Sequence, residues 1–223
     1  MRRYGLLNVM TGIALVAAGC SSNSPPTAED IASSVARVSG IACNRTVEGS
    51  AALIADGLYI TNAHVIAGSG AGLQLRLPNA GNVAATVVGF DPNRDLALLA
   101  APGGTGNPLA IGSSEAGDKG AIASVTTDLD IELIEYEVLR RILATGDDIY
   151  GEGDVARQAL EIEADIGSGV SGAPLISRAG ELVGVVFAES RTRGSSYAVY
   201  SAEIESFLAE VDPTTTVASG RCK

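Results

Sequence analysis

Residues 83–100 read VAATVVGFDPNRDLALLA. Two apolar runs of strand length, Val83 to Gly89 and Leu96 to Ala100, are parted by Asp91-Pro92-Asn93, a cluster of residues that turn chains. The same grammar extends outward in both directions. Upstream lie Val35 to Ala42, Ala51 to Ile54, Leu58 to Ile60 and Leu73 to Leu77; downstream lies Gly120 to Val125, again with Gly, Asn, Asp or Pro between runs. A second set follows at Ile131 to Leu143, Leu160 to Glu163, Ala173 to Ile176, Leu182 to Phe187 and Ser196 to Tyr200. This predicts an all-β, many-stranded antiparallel fold, and two small barrels or sandwiches fit the two sets better than one. Residues 131–143, IELIEYEVLRRIL, also fit a helix by periodicity; they are assigned to a strand because their flanks are β. A C-terminal helix is expected over Ala202 to Val211, where Ile204, Phe207, Leu208 and Val211 share one face and Ser201 can serve as N-cap. Gly146 to Gly153 reads as a surface loop.

Composition narrows the function. The 223 residues are 46% hydrophobic and 18% charged, so a domain of about 200 residues can bury roughly 70% of its unfolded surface, and disorder is excluded as the main theme. With 15 Lys+Arg against 26 Asp+Glu the net charge is −11, which repels phosphate backbones; no nucleic-acid partner is expected. Cys43, Cys222 and the single histidine share no short ligand spacing, so no metal site is expected. The acidic loop from Asp147 to Asp154 is too weak a signal for calcium, and no organic cofactor is implied.

The amino end is a targeting segment. Arg2 and Arg3 precede an uncharged apolar run, Leu6 to Ala18, too short to span a bilayer comfortably and of the length of a secretory signal core. The run ends in Val16-Ala17-Ala18-Gly19-Cys20, which looks like a bacterial lipobox. That resemblance implies removal of residues 1–19 as a signal peptide and a lipid anchor on Cys20; a plain secretory signal is the alternative, because Ala17 stands where a large aliphatic residue is usual. The mature chain would carry a charge of −13. Residues 20–32 then form the anchored cysteine and a polar, proline-containing tether, and the folded domain is placed at 33–223. With Cys20 lipidated outside the cytoplasm, Cys43 and Cys222 remain and are expected to pair, two unpaired thiols being the alternative.

The chemistry sits in three stretches: Thr61-Asn62-Ala63-His64-Val65, Asp95-Leu96-Ala97-Leu98-Leu99 and Gly169-Val170-Ser171-Gly172-Ala173-Pro174-Leu175. A serine hydroxyl is a poor nucleophile at neutral pH and must pass its proton to a neutral imidazole, which only His64 can supply. The imidazolium so formed needs a carboxylate on its other nitrogen, and Asp95 at the mouth of an apolar strand suits that task.

At TNAHV, DLALL and GVSGAPL the sequence resembles the chymotrypsin/trypsin-like serine peptidases, in particular their bacterial HtrA-like branch. The flanks Val35 to Cys43, Val83 to Leu99 and Ala164 to Phe187 look most like the periplasmic protease domain of the actinobacterial MarP-type membrane-anchored proteases. The resemblance spans about residues 33 to 223. It implies two six-stranded antiparallel β-barrels with a boundary near 112–128, and an extracytoplasmic serine endopeptidase acting on protein or peptide substrates in the cell envelope. It implies catalytic roles for His64, Asp95 and Ser171, and oxyanion donation by the backbone N–H groups of Gly169 and Ser171. Asp165, six residues before Ser171, would lie in the pocket for the residue preceding the cleaved bond, and Tyr197, Ala198 and Val199 would lie in the strand that pairs with the substrate backbone. The sequence departs from the family at Val170, where an acid or amide is usual, and at Ala173, where a second glycine is usual. Val170 cannot form the ion pair with a released amino terminus that activates chymotrypsin itself. A catalytically silent peptide-binding envelope lipoprotein of the same fold is the alternative that these two departures motivate.

Overall fold

The computed structural model describes residues 25–78, 80–167, 169–189 and 194–223. The signal segment and Cys20 lie outside them. In chain order the elements are α1 (Ala28–Ile31), β1 (Val35–Ala42), β2 (Arg45–Ala55), β3 (Leu58–Thr61), α2 (Ala63–Ile66), β4 (Gln74–Leu77), β5 (Gly81–Ala84), β6 (Thr86–Asp91) and β7 (Leu96–Ala100). After a connection come β8 (Lys119–Val125), β9 (Ile131–Gly146), β10 (Val155–Glu163), β11 (Pro174–Ser177), β12 (Leu182–Glu189), β13 (Ser196–Tyr200) and α3 (Ser201–Glu210).

The first sheet has the order β5-β4-β1-β2-β3-β7-β6, with every pair antiparallel. Its two outermost strands are consecutive in the chain, separated by Ala85 alone. That residue's N–H donates to the Leu73 carbonyl at 2.9 Å, next to β4. The seven segments therefore make six strands, one of them broken at Ala85, wrapped into a barrel. The second sheet is a closed barrel in the order β10-β13-β12-β11-β8-β9. Residues 131–143 are strand, as their flanks require: β9 pairs with β8 over Ile131 to Glu137 and with β10 from Glu137 onward.

The continuous apolar run of β7 follows from this arrangement. Ala97 and Leu99 point into the first barrel, with Val38, Leu53, Tyr59 and Leu75. Leu96 and Leu98 point the other way, into a layer shared with Val125, Ile176, Val185 and Val199 of the second barrel and with Ile204 and Phe207 of α3. Both faces of the strand are buried, so alternation disappears from its sequence. Each of those large side chains contributes about 1.5–3 kcal/mol when removed from water. The second barrel has its own interior, around Ile122, Leu160, Ile162, Leu175 and Val186.

Three boundaries differ from the sequence reading. α1 falls within the segment assigned to the tether: Thr27 and Asp30 form a capping box, and Ile31 is buried in the layer between barrels. The folded part thus starts before residue 33. The connection between barrels spans residues 101–118, so the upper part of the 112–128 interval is already β8. α3 begins one residue early, with Tyr200 as N-cap and Ser201 as its first, buried residue, because β13 runs directly into the helix.

Candidate active site

His64 comes from the end of β3. The strand stops at Thr61, Asn62 caps the four-residue helix α2 in extended conformation, and His64 is its second residue. Asp95 comes from the β6–β7 turn. The carboxylate of Asp91 accepts the N–H groups of Asn93 and Arg94 at 2.9 and 3.0 Å, tightening the turn. Asp95 then leaves it at φ 57°, a left-handed conformation that aspartate tolerates better than most residues.

The two side chains meet at two points. Nδ1 of His64 lies 2.7 Å from Oδ2 of Asp95, and the His64 backbone N–H donates to Oδ1 at 2.9 Å. Asn62 Nδ2 donates to the Asp95 carbonyl at 3.0 Å, fixing the acid's backbone as well. Asp95 is buried, whereas the imidazole keeps about a fifth of its surface exposed. A neutral ring with Nδ1 committed to the carboxylate carries its proton there and leaves Nε2 as a free acceptor.

Ser171 lies between β10 and β11. Its carbonyl accepts the Ser50 N–H at 2.8 Å, and Thr61, three residues before His64, donates its hydroxyl to the Ser50 carbonyl at 2.7 Å. A Cβ on Gly172, which has φ 81°, would overlap that same Ser50 carbonyl. A Cβ on Gly49 would stand 2.9 Å from both the Ser171 carbonyl oxygen and Cγ1 of Val65, the neighbour of His64. The serine turn and the histidine segment therefore press on the same stretch of β2, which is why two glycines are needed there. Among the described residues, no hydrogen bond joins the Ser171 hydroxyl to the ring.

Two further bonds tie the serine turn to β12: Gly172 N–H to the Val186 carbonyl and Val186 N–H to the Ala173 carbonyl, each 3.0 Å. Val170 is buried in the second barrel's interior with Ile166 and Ala173. Apolar burial thus anchors the turn at the position where the family commonly uses a charge. Gly169 is exposed at φ 91°, and among the described residues the N–H groups of Gly169 and Ser171 have no acceptor.

The expected substrate strand is corrected by the topology. Tyr197, Ala198 and Val199 pair with β10 on one side and with β12 on the other, so β13 has no edge to offer. The open edge beside Ser171 belongs to β12. β11 ends its pairing opposite Val185, Phe187 sits at a bulge, and the described pairing of Ala188 and Glu189 is to β13 alone. That stretch outruns its β11 neighbour because β12 is the longer strand, a relation between distant segments that no local pattern encodes. Asp165 sits exposed in the segment between β10 and the serine turn. The disulfide is present: Cys43, at the tip of the β1–β2 hairpin, and Cys222 are joined with their Cα atoms 5.8 Å apart. Among the described residues, no cluster of three or more His, Cys, Asp or Glu could hold a metal ion.

Two antiparallel barrels, one carrying a hydrogen-bonded histidine–aspartate pair and the other a serine followed by glycine, are the arrangement of the two-barrel serine peptidases. Comparison with known proteins gives the family. The profile of the trypsin-like peptidase domain matches residues 49–185, which include all three motifs, and the chain belongs to that family. It is 31% identical over 206 residues to the serine protease Rv3671c of Mycobacterium tuberculosis (strain ATCC 25618 / H37Rv), a match covering 85% of this chain. The chain spans about half the length of the curated relatives it matches. Among solved structures it resembles the active form of the Rv3671c protease with TM-score 0.80 at 27% identity, covering 98% of this chain and 99% of that one. The inactive form of the same protease superposes with TM-score 0.71 at 28% identity, covering 84% and 97%.

Proposed function

We propose that the protein is an extracytoplasmic serine endopeptidase that cleaves peptide bonds through an acyl-enzyme, with Ser171 as nucleophile, His64 as general base and Asp95 as its orienting carboxylate. The observation that carries this reading is the two-point grip of Asp95 on His64, 2.7 and 2.9 Å, which commits Nδ1 and frees Nε2. Substrate binding draws the Ser171 hydroxyl onto Nε2, since catalytic hydrogen bonds often tighten only in the substrate complex. Ser171 Oγ attacks the carbonyl carbon while its proton passes to Nε2, and the oxyanion forms against the N–H groups of Gly169 and Ser171. The imidazolium then protonates the leaving amine. Water, deprotonated by the same ring, hydrolyses the acyl-enzyme and restores the serine. The acyl side of the substrate adds to β12 along residues 187–189 as an extra strand, a mode in which main-chain bonds supply affinity with little sequence choice.

The disulfide supports an oxidising compartment, and the apolar amino-terminal run ending in Cys20 supports export with a lipid anchor. The likeness to the active form of a related protease, over 98% of this chain, supports the peptidase reading. A fluorophosphonate probe tests the core of the proposal without knowledge of substrate. Labelling of the wild type that is abolished in both Ser171→Ala and His64→Ala is expected. Folded wild type that resists the probe from pH 5 to 9 would instead indicate a silent peptide binder.

A further inference from the structure

The segment that carries His64 is also held by a loop of the second barrel. α2 has only four residues and no side-chain cap, so it cannot maintain its own position and depends on what packs against it. The connection between β9 and β10, residues 147–154, leaves the second barrel and crosses to the first. There Ile149 packs against Ala63 and Ala67, with Phe90 and Tyr150 at the margin. Ala63 immediately precedes His64, and Ala67 caps the helix three residues after it. The Ile149 N–H donates to the Pro92 carbonyl at 3.3 Å, within the turn that delivers Asp95. One residue thus touches both elements that carry the histidine–aspartate pair.

The loop is built to stay in place. Oδ1 of Asp148 accepts the N–H groups of Tyr150 and Glu152 at 2.8 and 2.9 Å, and Arg157 donates to the Asp147 carbonyl at 2.9 Å. The Tyr150 hydroxyl accepts the Arg221 N–H at 3.1 Å, the Arg221 guanidinium lies over the Tyr150 ring at 4.4 Å, and the same guanidinium pairs with Glu152. The loop is therefore stiffened from within and latched to the carboxyl-terminal tail.

We propose that Ile149 is a positioning residue for His64 and that the 147–154 loop is a clasp from the second barrel that sets α2 against the Asp95 turn. The side chain packs against the two alanines, so α2 cannot shift without opening a void there. Truncating it lets α2 shift while the barrels stay folded. The inference rests on the reading of His64 as the general base, and its test separates the two.

The chain has one histidine, so every imidazole signal in a 15N NMR spectrum belongs to His64. Spectra are recorded on the full chain in a Ser171→Ala background, and peptide hydrolysis on the chain with Ser171 intact. Ile149→Ala is expected to lower kcat about tenfold with KM within twofold, and to weaken the low-field Nδ1 proton signal of the Asp95-bonded ring. Ile149→Val, which keeps the branched side chain, is expected to retain both. Asp148→Ala, which loosens the loop without touching its packing, should move both readouts in the same direction by a smaller amount and serves if Ile149→Ala does not fold. Unchanged kcat and unchanged Nδ1 signal in Ile149→Ala or Asp148→Ala would overturn the proposal, as would equal loss in the Ala and Val variants with the signal intact. The NMR signal reads the His64–Asp95 pair directly, so failure of the clasp differs from failure of the peptidase reading, which would show as an inactive parent.

Discussion

Asp95 holds His64 by both of its oxygens, one on the ring at Nδ1 and one on the backbone N–H of the same residue. The backbone bond fixes where the ring starts, and the ring bond fixes which way it faces. Asp95→Asn separates these roles. The amide oxygen can still accept the His64 N–H, but the remaining position becomes an NH2 group that donates to Nδ1 and drives the ring proton to Nε2. The base is then lost with the fold intact. A fall in kcat of about 10⁴-fold is expected, with a melting temperature within a few degrees of wild type. A loss below tenfold, measured on a fluorogenic peptide, would remove Asp95 from the mechanism.

Gly172 offers a test of how tightly the serine turn is seated. Alanine there adds left-handed strain at φ 81° and a Cβ that overlaps the Ser50 carbonyl. Gly180 has nearly the same φ, 82°, but open space around its Cβ position, so Gly180→Ala measures the strain alone. Gly180→Ala is expected to cost about 1–2 kcal/mol by denaturant unfolding and to leave fluorophosphonate labelling unchanged. Gly172→Ala should cost a further 1–3 kcal/mol from overpacking and should abolish labelling, because β2 and the Ser171 carbonyl must separate.

Much of this architecture was legible in the chain because burial writes itself into local pattern. The run from Leu96 to Leu99 is apolar at every step since both faces are covered, and the Asp91-Pro92-Asn93 cluster marks the turn that aims Asp95. Where pairing rather than burial makes a strand, the signal vanishes. The outer half of β2, Arg45 to Glu48, is exposed at most positions, the start of β10, Val155 to Gln158, mixes apolar and polar residues without a clear alternation, and both are extended because partners continue the ladder. The three motifs were readable as residues in order. The free edge at Phe187 to Glu189 and the packing of Ile149 over α2 were not, since both depend on which distant strand or loop lies alongside.

The Cys43–Cys222 bond spans 179 residues of sequence and ties the β1–β2 hairpin tip to the chain's tail. In the chain-entropy picture, closing so long a loop stabilises by roughly 5 kcal/mol. Cys43→Ser with Cys222→Ser, or reduction by dithiothreitol, is therefore expected to lower the denaturant midpoint substantially. The serine turn is held by Ser50, Val186 and apolar burial of Val170, none of which requires the bond. At temperatures where the reduced protein remains folded, hydrolysis should stay within threefold of the oxidised rate. A larger loss, with circular dichroism unchanged, would show that the bond also sets the active conformation.

Tyr59 and Tyr136 lie in the interiors of the first and second barrel, and neither hydroxyl has a hydrogen-bond partner among the described residues. Burial pushes both phenols above their ordinary value, aided by the nearby charges of Asp56 for Tyr59 and Asp118 for Tyr136. An acid whose folded value is raised keeps its proton in the native state after the unfolded chain has lost it. Its contribution to stability is therefore complete below the unfolded value of about 10 and is lost as pH rises toward the folded one. Stability should fall as pH rises above about 10. Replacing both residues by phenylalanine removes two ionisations that oppose folding in alkali and two buried hydroxyls without partners. The double variant is expected to gain on the order of 1 kcal/mol or more at pH 7 and to show a flatter decline in urea midpoint between pH 7 and 10.5 than wild type. A decline as steep as that of wild type would mean that other groups govern the alkaline limit.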